Sequence, residues 1–529
     1  MTEADLTPPT LISPHAQALP LLTLTDLRIA ESQAAAGLPE HTLMSRAGKA
    51  AASFLQDLIT RDTSVEKSKQ KVWLIAGPGN NGGDALIVAT QLHQNGIAVE
   101  LCMPVDVKPD DARWALDTAR AAGVAITSAP PASLDSYTWL VDGMFGIGLT
   151  RGLDGVFAAV ARQLSQRATI RPRKGGVLAL DVPSGLDSDT GTVIGGSDGV
   201  AVHATHTISF IGAKPGLFTA QGRDLAGAVV VAPIGIDSSK RTAVQLNAPD
   251  LFAAFLPPRD FATNKGTFGS LAVVGGDTGM CGAPILASRA ALYAGAGKVH
   301  VALLGEGAPP YDPPHPELML HAIDDLPLDQ MDALAVGCGM GHRERATQVM
   351  HDVLQLDVPK LFDADALNLI SKDPSLAAEV TARGVQGDPC VLTPHPLEAA
   401  RLLGTDAPGV QRDRLSAARA LAARFASVVV LKGTGTIVAA PDGRLAINPT
   451  GNAALATGGT GDVLGGIIGA LLAQHLPRYE AALAGVYLHG LAADTLSAQG
   501  HGPAGLTAGE LAPMVRSLLN RLFYPSADQ

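Results

Sequence analysis

The 529-residue chain is too long for one ordinary core and reads as two domains of roughly 200–280 residues each. Its net charge of −11 argues against nonspecific nucleic-acid or membrane-surface binding, while leaving room for a local cationic nucleotide pocket. Four scattered cysteines, Cys102, Cys281, Cys338 and Cys390, contain no C-x-x-C pair, which excludes a disulfide scaffold and the common zinc patterns and fits a reducing cytoplasm.

Residues 1–20 carry Glu3 and Asp5, lack a basic start and read as a disordered tail rather than a secretion signal. No stretch reads as membrane-spanning, because the most apolar long run, near 453–474, carries Asp462 and several glycines. From Leu21 to about Gly48 the pattern is helical. A strand is expected at 71–76, apolar after its start as a buried parallel strand should be. Strands at 99–103, 139–141, 177–180, 207–211 and 229–231 then alternate with helices at 85–94, 110–122 and 156–166. Such alternation builds a parallel sheet wrapped by helices. A polar, proline-containing stretch at 236–264, with Leu256-Pro-Pro-Arg-Asp260, reads as a boundary. The pattern then restarts with strands at 270–274, 299–303, 333–336, 359–362, 390–392, 428–431 and 436–439 and a helix at 283–294. The expected fold is α/β in two domains, 21–235 and 265–523, joined by the linker 236–264.

In the first half, Gly77-Pro-Gly-Asn-Asn-Gly82 satisfies G-x-G-x-x-G between a strand and a helix. Alone it would suggest a dinucleotide-binding dehydrogenase, with Glu100 where a ribose-binding acid would lie. The amides of Asn80 and Asn81 and the carboxylate of Asp84, crowded at a strand end, are unusual for that role and suggest direct polar contacts to a ligand or ion; a tight turn using Asn and Gly is the alternative. Two later stretches, Val141-Asp-Gly-Met-Phe-Gly-Ile-Gly-Leu-Thr-Arg-Gly152 and Leu180-Asp-Val-Pro-Ser-Gly-Leu-Asp187, fall at further strand ends. Ligands of parallel sheets bind at those ends. Asn81, Asp142, Asp181 and Ser184 can therefore converge as oxygen ligands for a hard cation or a polar ligand.

In the second half the same logic applies to Gly275-Gly-Asp-Thr-Gly-Met-Cys-Gly-Ala283, Gly337-Cys-Gly-Met-Gly341, Asp363-Ala-Asp365, Thr393-Pro-His-Pro-Leu-Glu398 and Lys432-Gly-Thr-Gly-Thr436. The stretch 448–464 carries Gly451, Gly458, Gly459 and Gly461 ahead of Asp462 and an apolar helical run to about Ala473. A Gly-rich turn opening a helix aims backbone N–H groups and the positive helix end at an anion such as phosphate. A carboxylate there would repel that anion unless it accepts a proton, so the motif reads as phosphoryl transfer to a hydroxyl. No G-x-x-x-x-G-K-[ST] occurs, which excludes P-loop chemistry. Asp363 and Asp365 read as helix caps. His395 reads as a loop stiffener or a ligand contact, and Cys281 and Cys338 as small fillers.

The three motifs of the first half, in this order and spacing, resemble the NAD(P)H-hydrate epimerase domain over about residues 22–234. The resemblance implies that Asn80, Asn81, Gly82, Gly83 and Asp84, with the loop Gly146, Ile147, Gly148, Leu149, Thr150, Arg151 and Gly152, hold the hydrated nucleotide. It implies a potassium ion bound by Asn81, Asp142 and Ser184, with Asp181 on the substrate. The reaction interconverts R and S forms at nicotinamide C6, where water has added to NADH or NADPH. The carbinol carbon adjoins a ring nitrogen able to expel the hydroxyl, so a carboxylate relaying protons suffices, and Asp181 is the expected one. One departure is Ser45-Arg46, where the family usually has Glu-Asn; it falls on a helix.

The second set resembles the ribokinase-like ADP/ATP-dependent NAD(P)H-hydrate dehydratase over about residues 247–521, and the order of the halves is that of the fused bifunctional repair enzymes. The first domain is thus expected to be Rossmann-like, a three-layer αβα sandwich, and the second ribokinase-like. The resemblance implies that Lys432, Gly433, Thr434, Gly435 and Thr436, with Gly459, Thr460 and Gly461, hold the adenine nucleotide. Ala283, Gly339, Gly341, His395 and Asp462 would contact the hydrated substrate. Asp462 would take the C6 hydroxyl proton as that oxygen attacks the terminal phosphoryl group of ADP, and loss of phosphate would restore NADH or NADPH. Magnesium is expected on the phosphates, with Asn368 and Glu398 assisting through waters. The expected partners are hydrated NADH or NADPH and ADP, with no nucleic acid or membrane, in a cytoplasmic homo-oligomer. A vitamin or small-alcohol kinase would share 458–462, and a non-catalytic first domain would share its motifs.

Overall fold

The computed structural model describes residues 17–63, 65–66, 69–170, 174–237, 242–307 and 310–524; the expected tail lies outside them as far as residue 16. The chain forms two compact units, Met1–Val244 and Gln245–Gln529.

The first unit is built on β1 (Lys71–Ala76), β2 (Ala98–Cys102), β3 (Ala125–Thr127), β4 (Trp139–Gly143), β5 (Gly176–Leu180), β6 (His206–Phe210) and β7 (Ala228–Ala232). These strands form a seven-stranded sheet in the order β3-β2-β1-β4-β5-β6-β7, parallel throughout. Helices α1 (Leu24–Ala35), α2 (Thr42–Arg61), α3 (Asn80–Gln94), α4 (Asp110–Ala121) and α5 (Gly155–Thr169) accompany it. Successive strand residues face opposite sides. Val72, Leu74 and Ala76 accordingly join the core under α2, α3 and α4, whereas Trp73 and Ile75 join the core under α5. Burial on both faces explains why the strand reads as a continuous apolar run. The order reverses between β1 and β4, which opens a crevice at their carboxyl ends.

The single helical pattern expected from Leu21 to Gly48 is two helices. Gly37 and Pro39 interrupt it, and Thr23 starts α1 with a capping box to Asp26.

The second unit contains β8 (Ser270–Gly275), α6 (Gly282–Tyr293), β9 (Lys298–Leu303), β10 (Met319–Ala322), β11 (Ala333–Val336), α7 (Glu344–Gln355), β12 (Lys360–Phe362) and α8 (Asp365–Lys372). It continues through α9 (Pro374–Val385), β13 (Val391–Leu392), α10 (Pro396–Leu403), α11 (Arg414–Phe425), β14 (Val428–Leu431), β15 (Ile437–Ala439) and β16 (Leu445–Ile447) to α12 (Thr460–Ala473), α13 (Arg478–Ala498) and α14 (Ala508–Phe523). Its strands run β16-β15-β14-β13-β12-β11-β8-β9-β10. All pairings are parallel except β14 with β15 and β15 with β16. Within the stretch expected as linker, the Asn247 amide donates to the Ile447 carbonyl (2.8 Å) and Phe252 is fully buried, so the second unit begins inside it. None of the described helices is long and apolar enough to cross a membrane.

Candidate active sites

In the first unit the ends of β1, β4 and β5 meet. Asp142 is fully buried, and its carboxylate accepts from the Ser184 amide (2.8 Å), the Ser184 hydroxyl (2.6 Å) and the Met144 amide (3.2 Å). Burial pushes its pKa up to about 6, against the pull of those hydrogen bonds. The Ser184 hydroxyl accepts in turn from the Phe145 amide (2.9 Å). Asn81 is buried at the start of α3, and its side-chain nitrogen has no hydrogen-bond partner among the described residues. A Cβ added to Gly146 would stand 3.3 Å from Asp181 Oδ2 and 3.5 Å from Asn81 Oδ1, so the absence of a side chain there leaves both oxygens reachable.

Asp181 follows β5 with φ +66°, and its Oδ1 accepts from the Phe210 amide (3.2 Å) and from the ammonium of Lys214. Beside these groups lies a cavity of about 610 Å³. Asn80, Asn81, Asp84, Gly146, Ile147, Gly148, Leu149 and Asp181 line it. Gly82, Gly83, Thr150, Arg151 and Gly152 are outside its lining. Gly82 and Gly83 are buried in α3, and a Cβ on Gly83 would stand 2.5 Å from Met44 Sδ, so its smallness serves packing. Thr150 and Arg151 are exposed to solvent. Burial, then the charges of Asp181 and Glu31, push Asp84 well above the usual carboxylate range. Glu31 and Lys214 also line the cavity and were missed by sequence reasoning. Glu31 is one of several polar residues on α1, whereas Lys214 stood out as a cation within an apolar run.

In the second unit the Gly-rich strand ends also converge. The Asp277 amide donates to the Gly339 carbonyl (2.7 Å), and a Cβ on Gly339 would lie 3.5 Å from that of Ala283. The Gly341 amide donates to Asp365 (2.9 Å). Asp363 does not cap α8: it is buried and accepts from Lys432 Nζ at 2.6 Å. A Cβ on Gly461 would stand 3.5 Å from that ammonium and 3.9 Å from Asp363 Oδ2, so the first turn of α12 reaches the same point. Gly459, the residue before α12, has φ +90°, a turn that glycine enters without strain.

Asp462 sits in that first turn, and burial raises its pKa to about 6; the Cys338 thiol donates to it and opposes the shift. Cys338 is itself pushed well above the usual thiol range, by burial first and then by Asp462, which fits an inert sulfur. Burial alone would lower Lys432, but the Asp363 and Glu398 charges outweigh it and hold its ammonium above the usual lysine range. Arg414, 1% exposed, bonds the Leu431 and Lys432 carbonyls (3.2 Å each) and braces the turn Lys432–Thr436. His395 caps α10: its Nδ1 accepts from the Leu397 (3.1 Å) and Glu398 (3.4 Å) amides while Glu398 accepts from the His395 amide (2.8 Å). Its Nε2 stands 3.3 Å from Glu398 Oε1 and the ring is about half exposed, so capping leaves a face open to a ligand. Burial raises Glu398 to about 7.

A carboxylate and a lysine at a Gly-rich helix start, on a parallel sheet, define an α/β enzyme that handles a nucleotide phosphate, here joined to a second sheet with its own polar cavity. Comparison with known proteins is specific. A family model for NAD(P)H-hydrate dehydratase matches residues 271–515, and one for the YjeF-related protein N-terminus matches residues 40–216. The chain is similar to the bifunctional NAD(P)H-hydrate repair enzyme Nnr of Coxiella burnetii, 37% identical over 495 residues, which span 92% of this chain and 96% of that protein. Its second part is similar to the ADP-dependent (S)-NAD(P)H-hydrate dehydratase of Neisseria meningitidis serogroup B, 48% identical over 290 residues, covering 54% of this chain and 95% of that protein. Among solved structures, the ADP/ATP-dependent NAD(P)H-hydrate dehydratase of Bacillus subtilis, co-crystallised with ATP and Mg2+, is 33% identical and covers 51% of this chain and 95% of that chain, with a TM-score of 0.44. The chain belongs to the family of bifunctional NAD(P)H-hydrate repair enzymes, epimerase and dehydratase in one polypeptide.

Proposed function

We propose that the first site epimerises hydrated NADH and NADPH at C6 and that the second dehydrates the S form with ADP, giving AMP and phosphate. The observation that carries this reading is the meeting of Asp462, Gly461, Lys432 and Asp363 at the start of α12. Asp462 takes the C6 hydroxyl proton as that oxygen attacks the terminal phosphoryl group. The amides of Gly459, Thr460 and Gly461, at a helix start where N–H groups lack intrahelical partners, stabilise charge on the transferred group. Phosphate then leaves from C6 far more readily than hydroxide would, pushed by the N1 electron pair, and loss of a C5 proton to water forms the C5–C6 double bond of NADH or NADPH. Lys432, with Gly433, Thr434, Gly435 and Thr436, holds the AMP part. Ala283, Gly339, Gly341 and His395 hold the hydrated nicotinamide.

The described residues contain no cluster of three or more His, Cys, Asp or Glu side chains suited to a metal. Asn368 Oδ1 accepts from Arg401 (2.5 Å) and Glu398 is engaged in its capping box. These residues fit a magnesium ion held mainly by phosphate oxygens and waters, which would neutralise phosphate charge. In the first unit Asn81, Asp142 and Ser184 offer oxygens and a single buried carboxylate, which fits a monovalent cation such as potassium; bound there, it would supply positive charge near the substrate. Asp181 relays the proton of the C6 hydroxyl, with the nucleotide held by Asn80, Asn81, Asp84 and the loop from Gly146 to Gly152.

The decisive assay follows NADH absorbance after purified protein is given the S hydrate, ADP and magnesium. No absorbance gain would sink the reading.

A further inference from the structure

A buried lysine stands behind Asp181. Lys214 is 1% exposed, and its Nζ donates to the Asp181 carboxylate, to Ser209 Oγ (2.8 Å) and to the Phe210 carbonyl (2.9 Å). An ammonium has three N–H donors, so none remains for a substrate. The Ser209 hydroxyl, having accepted from Lys214, donates onward to the Gly212 carbonyl (3.0 Å).

The two strand ends that Lys214 joins are both strained. At Asp181 φ is +66°, and the Val182 amide donates back to the Leu180 carbonyl (2.9 Å). At Ile211 φ is +68°, and the Gly212 amide donates back to the Phe210 carbonyl (2.8 Å). Each is a three-residue γ-turn in a backbone region that L residues avoid, and a β-branched isoleucine most of all. Such turns persist where surrounding contacts over-determine them. Here one ammonium bonds the carboxylate of the first turn and a carbonyl of the second, and the Phe210 amide donates to the same Asp181 Oδ1 (3.2 Å). Oδ1 is thus engaged twice, and Oδ2 is the oxygen beside Gly146 and the cavity.

We propose that Lys214 is a positioning residue for epimerisation, tying the two turns together and fixing Asp181 so that Oδ2 alone is presented to the C6 hydroxyl. The proposal rests on the reading of Asp181 as the proton relay. With Oδ1 engaged and Oδ2 beside the cavity, the step that Asp181 serves is ring opening by removal of the hydroxyl proton. Oδ2 takes the hydroxyl proton, the C6–O bond becomes a carbonyl, and the C6–N1 electron pair passes to N1, which receives the proton from Oδ2. Rotation of the aldehyde and reclosure on its other face reverse each transfer, so no further reactant is needed.

The test uses the full-length protein without ADP, with R and S hydrates separated by chromatography, S-hydrate dehydration measured separately, and amide hydrogen exchange across the β1–β7 sheet as the index of folding of the first unit. Lys214→Met is expected to lower kcat for epimerisation by about 100-fold with KM within about threefold, dehydration being unchanged. In Lys214→Ala, ethylammonium is expected to recover part of the lost rate in a saturable way. Epimerisation by Lys214→Met close to the unaltered rate, a loss carried by KM alone, or no amine recovery in a Lys214→Ala protein whose first-unit sheet keeps its exchange protection would each overturn the proposal. Asp181→Ala, run in parallel, separates the two levels: if it epimerises normally, the reading of Asp181 itself fails.

Discussion

Asp462 is the side chain on which the proposed dehydration rests. Burial at the start of α12 raises its pKa to about 6, so it is ready to accept a proton near neutrality yet not held permanently charged. A base works in its deprotonated form, so dehydration kcat/KM should climb from pH 5 towards pH 7 and then level. A profile flat across that range would contradict the assignment. Asp462→Asn removes the acceptor and should cost about 100-fold or more in dehydration while epimerisation persists; assays of each reaction on the same preparation check it. The aspartate was legible in the sequence because Gly-Gly-Thr-Gly before it builds an anion cradle, where a carboxylate is costly unless it accepts a proton. Asp363 was not, since a carboxylate just ahead of a helix usually caps it, and only the fold brings Lys432 to it. Lys214 stood out as a cation in an apolar run, but its pairing with Asp181 was not legible, since only the fold brings together the loops that follow β5 and β6.

At the level of elements, most strands were legible because parallel strands buried on both faces are continuous apolar runs, and β1 falls where expected. The edge strands β3 and β10, short and only partly covered, were not, and neither was the three-residue strand β16. Helix α13 was missed for the opposite reason: it is buried along most of its length, so it lacks the one-sided apolar stripe that marks a surface helix. The same burial makes α12 intolerant of added volume. A Cβ on Gly466 would lie 1.9 Å from the Ala287 carbonyl oxygen of α6. Gly466→Ala should therefore destabilise the second unit by roughly 1–3 kcal/mol, the cost of overpacking a close helix contact. Gly458→Ala, with nothing within 4 Å, should leave the melting temperature nearly unchanged. Thermal unfolding of the two variants side by side checks this, and equal melting temperatures would refute the packing account.

At the scale of the whole chain, the polypeptide divides into two compact units between Val244 and Gln245. The boundary residue was not legible, because Asn247 and Phe252 sit in a polar, proline-bearing stretch and show their burial only once folded. A core cluster of the second unit draws on residues from Phe252 to Leu519, all within that unit. A chain of similar sequence, 95% of whose length is matched by 54% of this one, exists as a separate protein in Neisseria meningitidis. A fragment of residues 245–529 should accordingly fold alone and dehydrate the S hydrate at a rate within about threefold of the full chain. Given only the R hydrate it should yield NADH no faster than spontaneous epimerisation allows. Adding the full-length Asp462→Asn protein should then restore turnover of the R form, because the S hydrate released from one molecule is free to reach another. NADH absorbance reads all three mixtures. Failure of the last, with both proteins active on their own substrates, would mean that hydrate passes between the sites without leaving the chain.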